Sequence, residues 1–261
     1  MIYLYAIADR PELPLPARSG LEGAPLASLS CQDIAAVVSL FDTANVQATK
    51  ARLWQHEAVV EALMAERTVL PVRFGTLLAD EAATQTILAA RYASFVADLA
   101  RVRGRVELGL RVLWESEANQ GRAGARRSQP PPAADPCQAE KNHGERSGGD
   151  GWAYMLARLE EDRQLQAQRS QAEVLAADIH APLARLAADS TRRVLVTPRL
   201  LLTAAYLVEQ GQVVAFQREV EALGTAYPDL DFLCTGPWPA YSFMTASMRT
   251  IAGEERREPC V

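Results

Sequence analysis

A chain of 261 residues, 49% hydrophobic and 23% charged, has enough apolar side chains for one large packed domain or two ordinary ones. Its formal net charge of -5 makes no case for nucleic acid, which calls for a basic face, nor for the densely acidic surface of a salt-adapted protein. No stretch reaches the ~18 uninterrupted apolar residues of a membrane span, and Met1 to Ala8, followed at once by Asp9 and Arg10, is not a signal peptide, so a soluble cytoplasmic protein is expected.

Cys31, Cys137, Cys234 and Cys260 are scattered, with no C-x-x-C pair and only three histidines in the chain. Zinc ligation needs such groups at close spacing, so the thiols read as reduced and incidental, and neither metal nor cofactor is expected.

In chain order, Ile2 to Ala8 is apolar on both faces and reads as a central strand. Pro11, Pro14, Pro16, Gly20 and Gly23 make the next segment a loop, and Ile34 to Phe41 is a second strand. Asp42, Thr43 and Asn45 supply turn and cap chemistry before a helix over Thr49 to Arg67. Its inward stripe is Leu53, His56, Val60, Leu63 and Arg67, widened by Trp54, Ala58 and Ala62. His56 therefore reads as a hydrogen-bonded core residue rather than a ligand or base.

Thr68 to Leu78 follows, with Leu70, Val72 and Phe74 on one face of a strand and Pro71, Arg73 and Gly75 on the other. Pro71 has no N–H for a ladder, which suits a sheet edge, and Gly75 suits a bend out of the strand. Asp80 caps a second helix to about Val102, and Gly104 stops it. Arg105 to Trp114 alternates strictly, Val106, Leu108, Leu110 and Val112 on one face and charged residues or glycine on the other. That second face is read as solvated rather than as a surface pairing with a partner's charges.

Residues 115–151 contain no Val, Ile, Leu, Met, Phe, Trp or Tyr and read as a flexible linker or insertion marking the domain boundary. From Trp152 a long helix carries Met155, Leu156, Leu159, Leu165, Ala172, Leu175, Ile179 and Leu183 at helical spacing, with Pro182 expected to kink or split it. Straight to Ala181 it would be about 45 Å long, and part of it is expected to reach beyond its own domain. Strands at Arg193 to Thr197 and Leu200 to Val208 form a hairpin, Val213 to Tyr227 a helix, and Leu230 to Thr235 a last strand before Gly236-Pro237-Trp238-Pro239. Trp238, Tyr241 and Phe243 are either a lid over the core or an adhesive patch, and the lid is the reading adopted. The expected architecture is α+β in two domains of split β-α-β or ferredoxin-like character: 1–114, the linker 115–151, 152–248 with its long leading helix, and a charged tail 249–261.

There is no G-x-S-x-G elbow, no phosphate-cradling glycine loop and no G-x-G-x-x-G, and three dispersed histidines make a triad a poor fit. The chain is read as a non-enzyme.

Leu70-Pro71-Val72-Arg73-Phe74-Gly75-Thr76, preceded by His56-Glu57-Ala58-Val59-Val60-Glu61-Ala62-Leu63, closely resembles the gas vesicle proteins of the F and L type (the GvpF/GvpL family). Ile2 to Ile7, Val102 to Val112 and Thr235 to Phe243 agree in order, so the resemblance covers nearly all the chain except its middle. It implies an accessory or minor structural protein of gas vesicle assembly and buoyancy. Such a protein contacts the small hydrophobic shell protein (GvpA-type), and other accessory proteins of the gas vesicle in the cytoplasm. The candidate docking residues are Leu70, Val72, Arg73 and Phe74 on the strand, where edge pairing would act, and Trp238 and Tyr241 in the aromatic segment. The competing reading is a small-molecule-binding regulator or enzyme, which a pocket of convergent polar groups between the domains would favour.

Overall fold

A computed structural model describes residues 1–43, 45–114, 150–195, 197 and 199–245. The segment read as a linker and the charged tail lie outside these apart from the linker's last two residues, as do Cys137 and Cys260.

Two antiparallel sheets carry the fold. The first contains β1 (Ile2–Asp9), β2 (Leu26–Cys31), β3 (Ile34–Leu40), β4 (Val69–Pro71) and β5 (Leu77–Leu78) in the order β2-β3-β1-β4, with β5 also on β1. Burial on both faces of β1 is complete, as its continuous apolar run requires. A bulge between Leu4 and Ala6 changes the parity of its side chains. Ile2, Leu4 and Ile7 consequently face one core, and Tyr3, Tyr5, Ala6 and Ala8 the other.

Helix α1 (Lys50–Met64) covers the tyrosine face through Val59, Val60 and Leu63. Thr49 caps it, accepting from the Arg52 N–H at 3.3 Å. The opposite face packs on α2 (Glu81–Ala90) and α3 (Tyr92–Val102) through Leu88, Phe95 and Leu99. These two are separate helices where one continuous helix is expected, because Arg91 leaves the helical conformation (φ -114°, ψ 13°). Asp80 is the cap of the first, accepting from the Ala83 N–H at 2.7 Å. Asp80→Ala is expected to cost about 1 kcal/mol in urea unfolding of the full chain.

The second sheet runs β7-β8-β6-β9, built from β6 (Arg105–Trp114), β7 (Asp189–Val194), β8 (Leu200–Glu209) and β9 (Leu230–Trp238). With α4 (Asp150–Arg185) and α5 (Val213–Ala226) between strands, the chain order is β-α-β-β-α-β, the ferredoxin-like arrangement. Ile179, Leu183, Phe216 and Val220 fill the core between these helices and the sheet.

Several expectations are corrected by this topology. The division at residue 114 grouped Arg105–Trp114 with the first sheet, yet β6 is hydrogen-bonded to β8 on one side and β9 on the other. Residues 115–149 therefore interrupt the second unit between its first strand and first helix, rather than separating the two units. The first unit is not ferredoxin-like but an antiparallel sheet with helices on both faces. β2, a half-exposed edge strand, is an element the sequence reading did not include. α4 does not end or split at Pro182, which removes one backbone donor close to the helix end. Of its apolar stripe only the later part is buried: Ala172, Ala176, Ile179 and Leu183 pack, whereas Trp152, Met155, Leu156, Leu159 and Leu165 are exposed.

Candidate functional site

The stretch after α1 is locked by a buried chain of hydrogen bonds rather than arranged for docking. The Gly75 N–H donates to Tyr3 Oη at 3.1 Å, Tyr3 Oη lies 2.9 Å from His56 Nδ1, and His56 Nε2 lies 3.0 Å from the Val72 carbonyl. One assignment satisfies every member: Tyr3 accepts from Gly75 and donates to Nδ1, and the Nε2–H donates to Val72. His56 is thus the hydrogen-bonded core residue expected, and burial lowers its pKa to about 4.

This lock decides the fate of the strand candidates. β4 is only three residues long, and just past it the Val72 N–H still donates to the Tyr5 carbonyl of β1 at 3.0 Å. Leu70 and Val72 are core residues, 0% and 2% exposed, and cannot meet a partner. Phe74 does not share their face but packs by Tyr3 and His56, edge-on to each, at ring separations of 6.2 and 5.8 Å. Arg73 alone of the four is exposed. Pro71 does lie on an edge strand, as expected, but so short an edge with a proline offers few ladder donors.

The aromatic segment divides its roles. Of the three residues expected to form a lid, Phe243 alone is fully buried against the first core, together with Met244. Trp238 remains 39% exposed and Tyr241 half-buried. Glu107 of β6 holds the segment, accepting from the Ser242 N–H at 2.7 Å and the Ser242 hydroxyl at 2.6 Å. Its alternating face was read as solvated, but Glu107 is buried, which raises its pKa. Tyr241 donates to Glu57 Oε1 on α1 at 3.0 Å, so the segment is tied to both units. Burial, and then the neighbouring carboxylates, push the Tyr241 pKa up, and burial raises that of Glu57. Between the segment and the helix lies a groove of about 380 Å3 lined by Lys50, Leu53, Trp54, Glu57, Trp238 and Tyr241, with Glu61 beside them.

Leu53 and Trp54 are 41% and 62% exposed, against the expectation that they face inward. The helical wheel carries the missed signal: Trp54 lies about 170° from the centre of the buried positions His56, Val59, Val60 and Leu63. A tryptophan on the outer face of a helix, with Trp238 brought beside it from far along the chain, makes an apolar concavity open to solvent. Its polar members are Lys50, Glu57, Glu61 and the Tyr241 hydroxyl, set around the two tryptophans and Leu53. Among the described residues, no group of three or more His, Cys, Asp or Glu side chains could hold a metal. No helix among them is long and apolar enough to cross a membrane.

The family model described as gas vesicle synthesis protein GvpL/GvpF matches residues 1–245. The chain belongs to this family. Gas vesicle protein L of Streptomyces sp. is 30% identical over 261 aligned positions, covering 92% of this chain and 91% of that relative. Gas vesicle protein F2 of Halobacterium salinarum is 27% identical, covering 93% and 91%. Among solved structures, GvpF from Anabaena sp. superposes with a TM-score of 0.66 at 21% identity, over 94% of this chain and 95% of that one. GvpF from Microcystis aeruginosa gives the same TM-score at 20% identity, over 94% and 98%. This GvpL/GvpF-family protein accordingly has the α+β fold of GvpF and a gas vesicle accessory role.

Proposed function

We propose that this GvpL/GvpF-family protein acts during nucleation or growth of the gas vesicle by binding the small hydrophobic shell subunit, without catalysing a reaction, and works at the vesicle in the cytoplasm. The groove between α1 and the aromatic segment is its docking surface. The observation that carries this reading is that Leu53, Trp54 and Trp238 are kept open to solvent beside a rigidly held Tyr241. An apolar subunit that cannot stay dissolved alone needs a soluble partner offering such area, and tryptophan and tyrosine are the side chains that most often dominate an interface. Burial of Leu70 and Val72 and the shortness of β4 argue against docking by strand addition at that edge.

The test is capture of the full chain by co-expressed shell subunit, together with deletion of its gene in a vesicle-forming host. Capture, and defective vesicles on deletion, are expected. No capture together with normal vesicles would overturn the proposal. A fragment ending at Trp114 is unsuitable for the purpose, because it would strip β8 and β9 from both sides of β6.

A further inference from the structure

Trp238 lines two concavities, the groove beside α1 and a second one of about 280 Å3 on the open face of the second sheet. That sheet is packed on one side by α4 and α5. On its other side the first unit covers one end, where Leu207 joins the first core. Beyond that end the strand registers set which side chains are presented. Thr203 of β8 stands opposite Arg111 of β6 on one side and Arg193 of β7 on the other. Directly opposed residues of antiparallel strands point to the same face. The two arginine side chains therefore rise on either side of Thr203, from Cα atoms about 10 Å apart.

Charge is matched at the covered end of this face and unmatched at the open end. At the covered end Glu107 accepts twice from Ser242, Asp189 lies 3.7 Å from Arg101, and Arg105 lies 3.7 Å from Glu209. At the open end Arg111 and Arg193 are exposed, and neither makes an ion pair or a hydrogen bond among the described residues. Asp231, opposite Leu113 at the start of β9, lies on the same face outside the concavity and pairs with neither. Between the arginines and Trp238 the floor is small and uncharged. It holds Thr235, Ala205 and Gly109, where a methyl group would stand 2.8 Å from Thr235 Oγ1. A bare strip of sheet thus leads from the tryptophan of the groove to two cations without a counter-charge.

We propose that the groove and this face form one docking surface, and that the shell-subunit segment seated in the groove continues past Trp238 as an acidic stretch whose carboxylates pair with Arg111 and Arg193. The inference rests on the groove reading and adds the partner's charge to it. Each arginine fork can hold a carboxylate through two parallel N–H donors. Forks about 10 Å apart suit carboxylates two or three residues apart on an extended segment, which advances ~3.3 Å per residue. Nucleic acid fits this face less well. The chain carries a net charge of -5, and the residue between the arginines is a threonine, on which no base can stack.

The experiment measures binding of the purified full chain to captured shell subunit at low salt and at about 0.5 M sodium chloride, where exposed charge pairs are screened. Wild-type binding is expected to weaken at the higher salt. Arg111→Gln and Arg193→Gln are each expected to weaken low-salt binding about threefold, and the double variant roughly tenfold or more, with most of the difference gone at high salt. Arg218→Gln, at an exposed position of α5 on the helix side of the sheet, is expected to bind as the wild type does. Neither Arg111 nor Arg193 is bonded within the described fold, so the variants should keep the wild-type urea midpoint. Undiminished low-salt binding by the double variant overturns this inference and leaves the groove standing. An equal loss in Arg218→Gln also overturns it, by assigning the effect to net charge. Salt-independent binding of the wild type does the same and needs no variant. No binding of the wild type at either salt removes the groove reading, and this inference with it.

Discussion

Lowering the pH from 7 to 4 is expected to remove about 3 kcal/mol of folding stability through His56 alone. The folded-state pKa of His56 is about 4, against an ordinary value of 6.5. The neutral ring is therefore favoured in the fold, and below 6.5 the unfolded chain binds a proton that the folded chain resists. The contribution is fully present above pH 6.5, falls as the pH drops through the window to about 4, and levels off below. Its causes are burial of the ring and a hydrogen-bond chain in which Nδ1 already accepts from Tyr3, so that a second ring proton would meet a donor. Glu57 and Glu107 act with the opposite sign. Their raised folded-state pKa values make protonation favour the fold, so they return some stability as the pH falls. The measurement is urea unfolding of the full chain across pH 7 to 4 beside His56→Gln, which has no titrating ring. The variant should be less stable at pH 7 and should lack the His56 part of the slope. Superimposable pH profiles would sink the assignment.

Trp54→Glu and Trp238→Ala are expected to abolish most shell-subunit capture while leaving the fold intact. Trp54 is 62% exposed and on the outer face of α1, so its replacement should change stability by no more than about 0.5 kcal/mol. An anchoring tryptophan in an interface is worth about 2 kcal/mol or more, a loss of roughly thirtyfold in affinity. Glutamate at position 54 would add a charge beside Glu57 and Glu61 in the groove, which makes the effect larger than simple truncation. Binding is measured with purified full-length variants against captured shell subunit, with urea midpoints as the control for folding. Wild-type capture by both variants would refute the groove as the docking surface. Loss of capture accompanied by lower urea midpoints would assign the effect to the fold instead.

Where local pattern and tertiary role agree, the chain could be read directly. β1 was legible as a central strand because a strand buried on both faces has no polar side. β6 was legible to its end residues because its buried face alternates strictly. Asp80 as a helix cap and His56 as a core histidine follow from local hydrogen-bond chemistry and helical spacing. Elements with mixed environments were less legible. β2 has half-exposed side chains and no clear period, and Leu53 and Trp54 look like core residues on a count of hydrophobic positions. A tryptophan turned outward is an exception to burial that residue type cannot announce.

Legible from the chain alone were the family, the α+β class, the ends of most helices and the inward side of His56, since capping, periodicity and side-chain hydrophobicity act over a few residues. Which sheet owns β6 is settled by the packed fold, because ladder hydrogen bonds join it to strands beyond a long interruption. The packed fold likewise makes Leu70 and Val72 core and brings Trp54 and Trp238 into one groove. Those juxtapositions depend on how the two units pack, a contact between residues distant in the chain that no local pattern encodes.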